Sequence, residues 1–210
     1  MQSISAREAT EEALSILGEA NVVIVCVSIK HYLATLKRLL PHLSSQTVLV
    51  DVATVKVETT AWLQQHGDKL NYVATHPMFG PSSYKKSGNS VTGFRLVVTD
   101  HNIPVETYEK LLSWLECLGM RVIGMDAESH DKYLAETLFL THFIAQAITA
   151  ADFVRTDIDT VSFGFLMDAV ESVREDTDLF NDVFHHNPYC ESIINRLIEA
   201  VQQTQQRLKD

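Results

Sequence analysis

The pattern of this 210-residue chain predicts an α/β layer built on a parallel sheet, followed by an all-helical region. Three observations lead there. Short runs rich in β-branched residues alternate with helix-periodic segments from Val22 to Met125. The alternation stops after Asp126. Beyond it, apolar stripes at helical spacing cover about 129–154, 159–173, 177–185 and 188–208, with no strand pattern between them. These place a boundary near residue 126, dividing the chain into parts 1–126 and 127–210.

The elements follow in order. Ala6 to Leu17 has one apolar face, formed by Ala9, Ala13, Leu14 and Leu17, with Ser5 as a cap and Gly18 as a stop, so a helix is expected there. Val22–Val27 is a continuous β-branched run of the kind buried on both faces of a parallel sheet. A helix from about Tyr32 to Leu43, a strand Thr47–Val52, a helix from about Val57 to His66 and a strand Asn71–Ala74 come next. Met78 to Gly93 lacks periodicity and reads as a loop over the sheet. Phe94–Thr99 is a strand, Val105–Leu118 a helix and Met120–Met125 a last strand.

Composition bounds the function. Hydrophobic residues make up 46% and charged residues 21%, ordinary for a globular protein that buries a core without metals or disulfides. The net charge of -10 disfavours nucleic acid and anionic membranes as partners. Cys26, Cys117 and Cys190 are far apart and odd in number, so reduced thiols in the cytoplasm are expected, with no metal site. The polar, acidic stretch Met1–Ala20 does not read as a signal peptide, and no apolar run approaches the ~20 residues that span a bilayer.

The chemistry concentrates at strand ends, where ligands bind in open α/β sheets. Thr75-His76-Pro77-Met78-Phe79-Gly80-Pro81 follows one strand, and Asp51-Val52-Ala53-Thr54-Val55-Lys56 follows the preceding one. A lone histidine is more often structural, but His76 has a hydroxyl at Thr54 and a cation at Lys56 on the same edge. Further on come His130-Asp131 and Thr141-His142. At ~100° per residue a spacing of twelve leaves the two histidines about 120° apart, whereas Asp131, Ala135, Leu138 and His142 fall along one stripe. His185-His186 points to different sides of a helix and reads as surface or interface rather than a metal pair. The apolar stripes of Leu138, Phe139, Ile144 and Ile148, and of Leu166, Val170, Val173, Ile193 and Leu197, read as core or dimer interface.

Asp51-Val52-Ala53-Thr54-Val55-Lys56 resembles the D-V-x-S-V-K segment of the prephenate and arogenate dehydrogenase family. His76-Pro77-Met78-Phe79-Gly80-Pro81 resembles its H-P-M-x-G segment in the plant arogenate dehydrogenase form, and His130-Asp131 with Thr141-His142 resembles its later H-D and S/T-H pairs. Order and separations also fit, and the stretch from Phe163 to Leu197 is similar to the family's helical dimerisation region. The resemblance implies an incomplete Rossmann-like parallel sheet followed by an all-helical dimerisation domain, in a homodimer. It implies an NAD- or NADP-dependent oxidative decarboxylation of prephenate or arogenate in tyrosine biosynthesis.

On that resemblance His76 is the catalytic base, and Thr54, standing where the family has Ser, orients it or contacts the nicotinamide. His142, Lys56 and His130 fall to substrate binding, with Arg174 the first candidate for the substrate carboxylate and Arg155 the second. Ser28, Asp51 and Thr54 fall to the cofactor.

The chain departs from the family in three places. Eight glycines occur and no two are one residue apart, so the family's opening G-x-G-x-x-G unit is missing and NAD cannot be told from NADP. Ser82 stands where many relatives have Glu, and the carboxylate-binding arginine is not marked by a motif. Two alternatives stay open beside the enzyme: a truncated product of a normal gene, and a non-catalytic relative that dimerises or binds an aromatic ligand without hydride transfer.

Overall fold

The computed structural model describes residues 14–210, in two compact units that divide between His130 and Asp131. The helix expected from Ala6 falls outside the described residues except for its end, where Leu14 and Leu17 are buried.

The first unit is a five-stranded sheet with the order β1 (Val22–Val25), β2 (Val48–Asp51), β3 (Asn71–Pro77), β4 (Arg95–His101) and β5 (Arg121–Gly124). Helix α1 (Ile29–Leu39) joins β1 to β2 and α2 (Val57–Gln65) joins β2 to β3, so these three strands run parallel. Helix α4 (Val105–Cys117) likewise makes β4 and β5 parallel. The core on this sheet forms around Val73, Val98 and Ile103, with Val48, Tyr108, Leu111 and Val122 packed against them.

Two features differ from the expectation of a uniformly parallel, doubly covered sheet. First, β3 and β4 are antiparallel. The segment between them contains only the short helix α3 (Pro81–Lys86), whose residues are exposed, and left-handed residues at Gly88, Asn89 and Gly93. With no helix packed across the sheet, the chain turns back on the same edge, and Met78 N–H donates to the Arg95 carbonyl at 2.9 Å. Pro81 at the first helical position is the signal for α3, lost among the glycines and serines around it. Second, among the described residues β1 is an edge strand covered on one face only. Val23 and Val25 are buried, while Val22 and Ile24 are 54% and 51% exposed. The doubly buried strand is instead β3, in which Tyr72 to His76 are all buried.

Helix α5 (Ala127–Leu134) follows β5. Asp126 caps it, its carboxylate accepting from Ser129 N–H at 2.8 Å and Ser129 Oγ at 2.7 Å.

In the second unit the helical path continues through a π turn at Ala135–Phe139 into α6 (Leu140–Ala150), then α7 (Val161–Val173), α8 (Thr177–His186) and α9 (Cys190–Arg207). Among the described residues no strand follows Gly124. Helices α6 and α7 bury Ala145, Met167 and Val170 against Ile148, Phe163 and Val173. A second cluster stacks Phe139 on Phe180 and Phe184, with ring centroids 5.3 and 5.9 Å apart. Thr160 caps α7 by accepting from Phe163 N–H. Asn187 closes the turn between α8 and α9, donating to the Asp131 carbonyl at 2.8 Å and accepting from Tyr189 N–H at 3.0 Å. Burial and the nearby Asp131 push the Cys190 thiol up to about 12, so it stays protonated.

Candidate active site

The ends of β2 and β3 are held together by a fully buried polar cluster. Asp51, the last residue of β2, receives Ala53 N–H on Oδ1 at 2.8 Å and the Lys56 ammonium on Oδ2. Lys56 also donates to the Thr75 carbonyl at 2.8 Å, and Thr75 Oγ1 donates to the Asp51 carbonyl at 2.7 Å. A buried charge is tolerated only when paired and hydrogen-bonded, and Asp51 and Lys56 are each other's compensation. Tyr32 of α1 is fully buried beside Asp51, and burial with that carboxylate raises its hydroxyl well above the ordinary tyrosine range.

His76 stands two residues past the last β2–β3 pair, at 6% exposure. Its Nδ1 lies 3.0 Å from Nε2 of His130, and the rings meet edge to face with centroids 5.1 Å apart. Burial is the largest influence on His76; repulsion from His130 and Lys56 adds to it, and together they lower its pKa to about 3. The imidazole is therefore neutral near pH 7. Phe79 stacks on Phe94 at 4.5 Å between ring centroids beside this strand end.

The remaining expected residues are placed as follows. Thr54 is half-buried in the β2–α2 loop and makes no hydrogen bond to His76. Ser28 is exposed at the N-terminus of α1, its side chain not used as a cap. Lys56 and Asp51 are closed within the cluster, with side-chain exposure of 0% for both. In the second unit, His142 of α6 is buried, and its Nδ1–H donates to the Leu138 carbonyl at 2.9 Å. Among the described residues its buried Nε2 has no hydrogen-bond partner. Arg174 is exposed, with its Nε 3.3 Å from Glu175. Arg155 forks onto Glu171 and Asp168, at 2.8 and 2.6 Å. Among the described residues no group of three or more His, Cys, Asp or Glu side chains is arranged to hold a metal.

Two participants do not stand out as site residues in the sequence, although Thr75 opens the motif around His76. Thr75 acts through its backbone carbonyl and a hydroxyl on the hidden face of β3. Tyr32 lies buried near Asp51 on a helix whose periodicity marks it only as core, and among the described residues its hydroxyl has no hydrogen-bond partner.

The chain is similar to known proteins. Residues 3–124 match the family model described as "Prephenate dehydrogenase, nucleotide-binding domain", and residues 148–210 match "TYRAAT1-like, C-terminal domain". The chain is 30% identical over 185 residues to arogenate dehydrogenase 1, chloroplastic, of Arabidopsis thaliana, covering 84% of itself and 29% of that protein. It is 30% identical over 193 residues to arogenate dehydrogenase 2, chloroplastic, of the same plant, covering 90% of itself and 54% of that protein. The chain thus spans about half or less of these relatives' lengths. The fold is that of Synechocystis arogenate dehydrogenase, with a TM-score of 0.68 at 22% identity, over 93% of this chain and 73% of that one. With well over half of its residues matched by the nucleotide-binding-domain model, the chain belongs to the prephenate dehydrogenase family.

Proposed function

We propose that this chain carries the proton acceptor and part of the substrate site of an oxidoreductase that oxidatively decarboxylates prephenate or arogenate in tyrosine biosynthesis. One observation carries the reading. His76 is a buried, neutral imidazole at the end of the central strand, with Nδ1 occupied by His130 and Nε2 making no hydrogen bond to the described residues. Such a nitrogen suits the proton of a ring hydroxyl. As that proton leaves, the ring carbon releases its hydride, the ring carboxylate departs as CO2 and the ring becomes aromatic.

The cofactor of this reading is NAD or NADP, which supplies hydride acceptance. The residues present fit it only in part. Ser28, exposed at the N-terminus of α1 and at the C-terminal end of β1, could help to hold it. Thr54 is open enough to join Ser28. Asp51 keeps its carboxylate for Ala53 and Lys56, and these 210 residues contain no glycine-rich turn for a pyrophosphate. No residue is therefore assigned to the pyrophosphate.

On the substrate side, the unpartnered Nε2 of His142 suits a hydrogen-bonding ligand group, and Arg174 has the exposure to meet a carboxylate. Lys56 serves as a fixed charge behind His76 rather than as an open contact. Assembly as a homodimer is supported by the apolar residues that the helical unit leaves uncovered: Val161, Phe165 and Leu166 on α7, and Ile198 and Val201 on α9. Three free cysteines suit a reducing compartment such as the cytoplasm. Among the described residues no helix is long and apolar enough to cross a membrane.

The test is an assay of the purified chain with prephenate or arogenate and either cofactor at high concentration, following reduced nicotinamide. Calorimetry with a carboxylated phenol shaped like the aromatic product accompanies it. Turnover with one pair, or binding of the phenol that is lost in His142→Ala, is the expected result. Failure of both overturns the reading.

A further inference from the structure

The His76–His130 contact has a direction that chemistry can assign. Two nitrogens 3.0 Å apart form a hydrogen bond only if one carries the proton and the other the lone pair. If His130 were the donor, the neutral His76 ring would carry its own proton on Nε2. That nitrogen could then give a hydrogen bond but could take no proton. If His76 is the donor, its proton sits on Nδ1 and the Nε2 lone pair is open. Only the second arrangement serves a base.

We propose that His130 is a positioning residue that accepts the Nδ1–H of His76, holding the catalytic imidazole in the tautomer whose Nε2 lone pair faces the reacting hydroxyl. The inference rests on the reading of His76 as the base. It gives His130 a place behind the base rather than against the substrate.

Three further observations support it. Both rings are buried, at 6% and 3% exposure, so water competes poorly for either nitrogen. The edge-to-face meeting at 70° points one ring's nitrogen at the other ring's edge, as a directed hydrogen bond requires. The element carrying His130 is anchored at its start: His130 is one residue from Ser129, both of whose donors are held by the Asp126 carboxylate, and His130 N–H itself donates to the Asp126 carbonyl at 3.0 Å. When His76 takes a proton on Nε2, the positive charge it acquires is shared through Nδ1–H with the His130 lone pair. The partner is an imidazole instead of a carboxylate, so His76 gains orientation without a carboxylate's negative charge beside it.

The experiment is long-range proton–nitrogen correlation spectroscopy of the full chain with labelled histidine, near pH 7, with His76 assigned by its disappearance in His76→Asn. In the parent, His76 is expected mainly as the Nδ1–H tautomer. In His130→Leu the balance should invert toward Nε2–H, the form that an unconstrained imidazole prefers. In His130→Gln, whose side-chain oxygen can accept the same bond, Nδ1–H should persist. A parent His76 found as Nε2–H overturns the proposal, as does a His130→Leu protein with unchanged tautomer. Should His130→Leu not fold, the parent spectrum and His130→Gln decide. The two readings part here: an Nδ1–H parent without turnover removes the enzyme reading alone, and an Nε2–H parent with His76-dependent turnover removes only this role for His130.

Discussion

The Lys56 ammonium donates a 2.8 Å hydrogen bond to the carbonyl of Thr75, the residue immediately before His76. One buried cation therefore fixes the backbone that carries the imidazole and also disfavours a proton on that imidazole. Asp51 makes this affordable by neutralising Lys56 where no water reaches either group.

Breaking that pair has a direct cost. Lys56→Met leaves the Asp51 carboxylate buried without its partner and should destabilise the chain by about 3–5 kcal/mol in urea unfolding. Lys56→Met combined with Asp51→Asn should recover much of the loss. A single variant within about 1 kcal/mol of the parent would show that the cluster is not closed to solvent.

The depressed pKa of His76 makes stability depend on pH. The unfolded ring binds a proton below its ordinary value of 6.5, whereas the folded ring resists until about pH 3. Below 6.5 the unfolded state thus holds more protons. The His76 contribution is complete above 6.5 and is lost as pH falls toward 3, by up to ~1.4 kcal/mol per pH unit. Urea midpoints of the parent and of His76→Phe, taken across that window, should converge as pH drops. Parallel lines would contradict the shift.

The proton-accepting role has its own signature. In a preparation that turns over, His76→Asn keeps a hydrogen-bonding group but cannot take the hydroxyl proton. The rate should fall about 10²–10⁴-fold with little change in substrate affinity. A loss of only a few-fold would assign the base elsewhere.

Cofactor affinity should be weak. Without a glycine-rich turn to bring backbone N–H groups against the pyrophosphate, calorimetry of this chain with NAD or NADP should give a dissociation constant weaker than roughly micromolar. Micromolar or tighter binding would mean that another part of the chain holds the phosphates.

The exposed face of α7 gives the last prediction. Phe165→Glu with Leu166→Lys places charge on a surface where the parent has residues 70% and 42% exposed. Light scattering should show the parent as a dimer at roughly micromolar concentration and this variant as a monomer with unchanged helix content. A monomeric parent rules the dimer out.

Much of the first unit was legible because its strands are dense in β-branched residues. Val48–Asp51 and Arg95–His101 lie within a few residues of where the periodicity puts them. What escaped were relations that depend on neighbours. Val22 and Ile24 look like interior residues, yet β1 lies at the sheet edge and one of its faces is uncovered. The reversal of β4 depends on whether the intervening helix packs on the sheet, and α3 is too short and polar to do so. At the candidate site, His76, Thr54, Lys56 and His130 stood out by residue type and position. Their pairing did not, because His76 and His130 are 54 residues apart and no local pattern records a contact at that range. Lys56 read as an open cation because its burial comes from β3 and from Asp51, not from its own neighbours in sequence.

The π turn at Ala135–Phe139 carries a consequence for helical phase. An i→i+5 turn accommodates one residue more than regular α geometry, so everything after it is rotated relative to everything before it. Leu134 before the turn, Ala135 and Phe139 at its two ends, and His142 and Ala145 after it are buried, with Leu138 left only partly covered. Removing one residue along with the π turn would leave the phase of His142 nearly unaltered, whereas closing the turn to plain α geometry with the residue count unchanged would swing His142 by about 100° about the helix axis. The aromatic stack at Phe139 would lose its place in the same motion. The orientation of the buried His142 nitrogen is thus set by the backbone of a turn that ends three residues before it, and a change that closed that turn would act as a point mutation at a histidine it never touches.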